Sequence, residues 1–138
     1  MKIFKHKTIV ITGGAIGLGL ATAKILAAKG ASLSIIDYNE EALETAKKEI
    51  QSENADCKII TIIADVADEK AVKNYVEKTI KEFGTVEGFY NNAGIEGKQA
   101  LLANYDVDTF KKVIDVNLMG VYYGMKYIIP EMKKNGGG

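Results

Sequence analysis

Arginine and tryptophan are missing from this sequence, and cysteine, histidine and proline occur once each. With all 18 cationic side chains being lysines, planar bidentate capture of a phosphate or carboxylate by a guanidinium is excluded. Cys57 has no second cysteine to pair with, which rules out an internal disulfide and suits a reducing, cytoplasmic setting. His6 is the only histidine, so a His/Cys metal site is excluded, as is a triad that needs a His base. The 18 acids balance the lysines and are interspersed with them, and no basic patch points to nucleic acid or to an anionic membrane. An apolar run of about 18 residues, the least a membrane-crossing helix needs, does not occur. Lys2, Lys5 and Lys7 ahead of "TIVITGGAIGLGLATA", with Ala21-Thr22-Ala23 as a small-residue cleavage site, sketch a signal peptide. Four glycines break that run and Lys24 follows at once, which argues against secretion.

What remains is 138 residues, 47% hydrophobic, enough to bury one core. The chain alternates between two periods. "KTIVIT" (7–12) is a β-branched run of the kind buried on both faces of a sheet. From 17 to 29 the composition is helical and stops at Gly30. "SLSIID" (32–37) is a second strand. Asn39 caps a helix with Glu40 and Glu41 in its first turn and Leu43, Ala46 and Ile50 on one face. "KIITIIAD" (58–65) is a third strand. Asp68 caps a helix striped by Val72, Val76, Ile80 and Phe83, and Gly84 ends it. "VEGFYNN" (86–92) is a fourth strand, a loop runs from 93 to about 105, and Asp106 or Asp108 opens a long helix towards Pro130. Strand alternating with helix predicts an α/β fold: a doubly wound, Rossmann-type parallel sheet in three αβα layers, with default strand order 3-2-1-4.

Between the first strand and first helix lies "TGGAIGLG" (12–19). Gly13 allows a tight turn out of the strand. Gly17 lets the backbone approach a pyrophosphate at the helix N-terminus, and Gly19 lets the helix pack close to the sheet. The spacing is GxxxGxG, so neither G-x-G-x-x-G nor a P-loop is present. By itself the loop is also what a tight turn with no ligand would look like. Asp37 stands at the end of the second strand, 18 residues beyond Gly19, where a carboxylate accepts hydrogen bonds from both hydroxyls of an adenosine ribose. The same charge repels a 2′-phosphate, and no arginine offsets it, which favours NAD over NADP. Ile16 and Leu18 beside the glycines, and Tyr38 after the acid, complete this part of the candidate site.

Five motifs together carry a resemblance: Thr12-Gly13…Gly17…Gly19, Asp37, Asp65-Val66, Asn91-Asn92-Ala93-Gly94, and Asn117 within "VIDVNLMGVY". In this order and spacing the chain resembles the short-chain dehydrogenases/reductases over its whole length. The resemblance implies that Asp65 and Val66 bond the adenine edge and that Asn91 ties the fourth strand to its neighbours. It implies that Asn92, Ala93 and Gly94 line the ribose and nicotinamide end. It implies too that Asn117, buried and with its amide partnered, holds a water of the proton relay by distorting its own helix. Reversible hydride transfer between NAD and a secondary alcohol or ketone follows as the expected reaction, in a homo-oligomer whose contact uses Val113, Val116, Val121 or Tyr122. Those four residues serve equally well as core.

"YYGMK" holds the chain's one Tyr-x-x-x-Lys, Tyr122 and Lys126. In the family that pair lies one helix further on, after a strand ending in a catalytic serine. At about 100° per residue, Tyr122 points roughly 140° and Lys126 roughly 180° away from Asn117. They are expected on the far face of the helix. Ser32, Ser34 and Ser52 are the only serines and lie elsewhere. Residues 1–138 are therefore expected to be the cofactor-binding domain, truncated after the fourth βα unit and inactive alone. A naturally short NAD-binding module, or an interaction protein that keeps the fold without the ligand, remain as alternatives.

Overall fold

The computed structural model describes residues 2–138. Four parallel strands, β1 (Thr8–Thr12), β2 (Ser32–Asp37), β3 (Ile59–Ile63) and β4 (Gly88–Asn91), lie in the order β3-β2-β1-β4. Helices α1 (Gly17–Ala28), α2 (Glu40–Glu53) and α3 (Glu69–Phe83) connect them. After β4 come a 3₁₀ turn at Leu102–Asn104, α4 (Val107–Ile114), a π-helical turn at Asp115–Met119 and α5 (Gly120–Lys134). The architecture is Rossmann-like α/β, with the expected strand order.

The strands' alternation builds two apolar layers. Ile9, Ile11, Leu33 and Ile35 face α1 and α2, meeting Ala23, Ala27, Leu43, Ala46 and Ile50. Val10, Ile36 and Ile62 face the other way, onto Val72, Tyr75 and Val76 of α3 and Ile128 of α5. The small residues of α1 bring that helix close to the sheet. Both layers bury side chains completely, at roughly 1.5–3 kcal/mol for each large one.

Asn39, Asp68 and Asp106 each cap their helix, accepting from Ala42, Lys70 and Thr109 respectively, so Asp106 and not Asp108 opens α4. Gly84 ends α3 in the left-handed region, φ 80°. The predicted strands at 7–12, 58–65 and 86–92 are longer than the paired ones, because their ends turn away as loops. Two further expectations are corrected. Tyr75 and Thr79, not only the Val72–Val76 stripe, are buried on α3, while Ile80 and Phe83 are half-buried. The last helix does not stop at Pro130 but runs through it, since Ile128 and Met132 on either side pack onto the core and outweigh one lost hydrogen bond.

A side-chain lock joins the ends of β1 and β4. The fully buried Thr12 Oγ1 accepts from both Asn92 N (3.0 Å) and Ala93 N (3.1 Å). Asn92 Nδ2 returns bonds to the carbonyls of Thr12 (3.0 Å) and Gly13 (3.2 Å). Asn91 ties β4 outward instead, donating from Nδ2 to Val121 O of α5 at 2.9 Å.

Replacing Thr12 with valine keeps the shape but leaves two N–H groups without their acceptor. We expect a loss of about 2 kcal/mol, read as a lower denaturant midpoint, and an unchanged midpoint would contradict the lock. The buried Tyr75 hydroxyl finds no partner among the described residues, and burial pushes its pKa above the ordinary phenol value. Tyr75→Phe should therefore stabilise by about 1 kcal/mol, raising Tm by roughly 3 °C. A fall in Tm would mean that the hydroxyl is satisfied.

Candidate functional site

All four strands point their C-terminal ends at one edge, and the chain departs in opposite directions from β1: towards β2 on one side and, later, β4 on the other. A crevice of about 770 Å³ lies there, where an open α/β sheet places its ligands. Gly13, Ile16 and Leu18 from the first turn, Asp37 closing β2 and Tyr38 beyond it, Asp65 and Val66 after β3, and Asn92, Ala93 and Gly94 after β4 all line it. Ten residues proposed from sequence are thus brought to one cavity by four separate loops.

Two of the proposed glycines are not on the wall. Gly17 stands exposed at the crest of the turn, in the left-handed region (φ 55°), and a Cβ there would meet no atom of the described residues within 4 Å. The space in front of its backbone is open. Gly19 is buried, and its hypothetical Cβ would lie 2.1 Å from Gly13 O. What Gly19 permits is close packing of α1 on the glycine turn, not on the strands as the sequence suggested.

Among the described residues no side chain caps α1, and its first turn holds no acid. The start of α1 therefore presents uncompensated N–H groups and the positive end of the helix dipole to the crevice rim. Ile16 and Leu18 are exposed on either side of Gly17, apolar residues at a place where water has no competitor for those N–H groups.

Asp37 is only 8% exposed. One carboxylate oxygen accepts from Ala15 N at 3.3 Å and the other from Asn39 N at 3.2 Å. These bonds aim the carboxylate across the mouth of the glycine turn while leaving lone pairs for a ligand. Asp65 is exposed and accepts from Ala67 N at 2.9 Å, which closes the turn after β3. Val66 is buried, and Gly120 of α5 lies so close that a Cβ would come within 2.8 Å of its Cγ2.

Asn117 departs from expectation. It sits in the π turn, so its helix is distorted as foreseen, yet the residue is exposed rather than buried and does not line the crevice. Its amide bonds both ways to one loop residue: Ile95 N donates to Oδ1 and Nδ2 donates to Ile95 O, both at 2.8 Å. The side chain fastens the loop after β4, and its second N–H and second Oδ1 lone pair stay open to solvent.

Tyr122 and Lys126 lie off the crevice, as the helical geometry predicts. Tyr122 is half exposed on α5. Lys126 Nζ pairs with Glu69 Oε1 of α3 at 2.6 Å, and Tyr127 OH donates to the same oxygen at 2.9 Å. The Lys126 bond, then the Tyr127 bond, hold the Glu69 carboxyl below its usual range, and Lys126 is raised by the same contact. This cluster joins two helices.

Sequence reasoning gave no role to Thr12, though it was in plain view ahead of Gly13. It also missed Ile95, Gly97 and Lys98 along the far wall, which a loop of no regular period delivers, and Thr109 of α4.

The family model for short chain dehydrogenase matches residues 7–138. Levodione reductase of Leifsonia aquatica is 43% identical over 135 residues, 98% of this chain and 51% of that protein. A crystal structure of levodione reductase superposes with a TM-score of 0.96, covering 98% of this chain and 52% of the other. A cyclohexanol dehydrogenase of Acinetobacter sp. (strain SE19) is 35% identical over 98% of this chain and 53% of its own length. The crystal structure of an NAD+-bound xylitol dehydrogenase shares 31% identity with a TM-score of 0.94, over 99% of this chain and 52% of that one. The chain spans about half the length of the relatives it matches. Crevice, strand order, sequence motifs and superposition agree, and the chain belongs to the short-chain dehydrogenase family of oxidoreductases.

Proposed function

We propose that residues 1–138 form the NAD-binding domain of an oxidoreductase that moves a hydride between the nicotinamide and a secondary alcohol or ketone carbon. The observation that carries this reading is the pairing of an uncapped helix N-terminus with an oriented carboxylate across one crevice. The N–H groups opening α1 bind the pyrophosphate, and the crest at Gly17 leaves it room. Asp37 accepts from the adenosine ribose hydroxyls. Its charge works against a 2′-phosphate, and no arginine counters it, which supports NAD over NADP. Asp65 and Val66 hold the adenine edge, while Asn92, Ala93 and Gly94 line the ribose and nicotinamide end. When bound, the nicotinamide supplies or accepts the hydride. The names of the levodione reductase and cyclohexanol dehydrogenase relatives support a small carbonyl or alcohol substrate.

Asn117 contributes by holding Ile95, and its unused amide groups, with the backbone groups of the π turn, hold the water of the proton relay. With Tyr122 exposed and Lys126 committed to Glu69, neither reaches a substrate oxygen in the crevice. A free Cys57 thiol fits a cytoplasmic setting. Among the described residues, no helix is long and apolar enough to cross a membrane. Self-association is supported by one face of α4 and α5, where Phe110, Ile114, Leu118, Tyr122, Met125 and Ile129 are exposed at helical spacing. Of the residues first considered for that contact, only Tyr122 belongs to it; Val116 is buried, and Val113 and Val121 are half-buried.

Calorimetric titration of the 138-residue chain should give a saturable heat with NAD and a Tm that rises with ligand. Asp37→Ala should weaken NAD at least tenfold, about 1.4 kcal/mol, and narrow the gap to NADP. Equal affinity of wild type and variant would refute the role of Asp37. The same chain should form no NADH above the blank when given NAD and secondary alcohols, because general acid–base help is commonly worth about 10²–10⁴ in rate. Alcohol-dependent NADH formation would show that a proton acceptor reaches the crevice after all.

A further inference from the structure

The far wall of the crevice is a loop, and two side chains hold it. One is Asn117, bonded both ways to Ile95. The other is Tyr105, which does not itself line the cavity. Lys98 N donates to Tyr105 Oη at 3.1 Å. The neighbouring Gly97 is in the left-handed region (φ 81°), and a Cβ there would lie 2.5 Å from Tyr105 Oη and 2.9 Å from Val113 Cγ2. Gly97 is thus needed twice, for its backbone conformation and for the space in which the phenol seats.

The tyrosine is itself fixed. It directly precedes Asp106, whose carboxylate accepts from Thr109 N (2.8 Å) and Thr109 Oγ1 (2.7 Å) to cap α4. Its ring meets Phe110 edge to face, with centroids 6.3 Å apart and planes at 88°. A rigid helix start therefore carries a hydroxyl to the backbone between Gly97 and Lys98. Ile95, Gly97 and Lys98 all line the crevice, so both anchors act on its wall.

We propose that Tyr105 is a positioning residue for the dinucleotide crevice: its hydroxyl, seated against Gly97, latches the Ile95–Lys98 wall in the conformation that closes on the cofactor. The inference rests on the NAD-binding reading above. Its physical content is a population. A loop held at Ile95 alone opens at its Gly97–Lys98 end, and apparent affinity falls by the fraction of time the wall is displaced. One neutral hydrogen bond sets that fraction at severalfold, not thousandfold.

The test uses the 138-residue chain with Tyr105→Phe, which removes only the hydroxyl, Gly97→Ala, and Tyr122→Phe as a control off the crevice. Each is measured for NAD affinity by calorimetry, for Tm, and for amide hydrogen exchange at Lys98. Tyr105→Phe should weaken NAD about threefold to tenfold, leave Tm unchanged and speed exchange at Lys98 while amides of β1 stay protected. Gly97→Ala should weaken NAD at least as much, and Tyr122→Phe should do nothing. Wild type that binds NAD, with Tyr105→Phe binding equally well, overturns the latch alone. Wild type that gives no NAD heat overturns the cofactor reading and the latch with it. Exchange at Lys98 is read in the wild type in any case, so an unprotected amide there contradicts the latch even if a variant does not fold.

Discussion

One buried hydroxyl governs the geometry of this chain's functional end. Thr12 Oγ1 receives the two N–H groups that follow β4, and Asn92 answers by donating to the carbonyls that follow β1. Parallel strands that share no turn have only ladder bonds to hold their ends in register, and these lapse where the strands stop. The lock continues the register past that point. It sets the glycine turn against Ala93 so closely that a Cβ on Gly13 would lie 3.0 Å from Ala93 Cα. The turn, the start of α1 and the far wall are all placed with respect to this junction.

The site's chemistry then comes mostly from what is left unsatisfied. Three helices that open off strands or loops spend an Asn or Asp side chain on their first N–H groups, whereas α1 spends none. Asp37 faces that bare end, bridged to Ala15 and Asn39 so that its charge is held in place. A bare donor cluster beside a fixed acceptor suits a ligand that carries a diphosphate and a diol, which is why the proposed reading rests on this pair. The one remaining variable is the wall opposite, which is loop and is stapled by Asn117 and Tyr105.

Much of this could be read from the sequence where the signal is local. Strand β2 was read to the residue, because its apolar residues Leu33, Ile35 and Ile36 lie between Gly30 and an Asn cap. The helix starts at Asn39 and Asp68 follow from side chains that bond three or fewer residues away. The far-face placement of Lys126 followed from helical angle alone. What was not legible depends on contacts distant in the chain. The partner of Asn117 is Ile95, 22 residues earlier, and nothing in "VIDVNLMG" announces a π turn or the exposure of its asparagine. The burial of Tyr75 and Thr79 rests on β2 facing them, with Ser34 and Thr79 hydroxyls 2.7 Å apart. Tyr105 looked like the end of a featureless loop, since its role lies in a backbone amide that any residue at 98 would supply. Pro130 misled because its cost is local while the packing that overrides it is not.

The most direct measurement is chemical-shift mapping of the ¹⁵N-labelled chain during titration with NAD. The account predicts that the largest amide shifts fall at Ile16–Gly19 and around Asp37, with a second set at Ala93–Lys98, all saturating at one affinity. Shifts that leave residues 16–19 untouched, or that gather at the opposite ends of the strands, would contradict a dinucleotide seated against the start of the first helix.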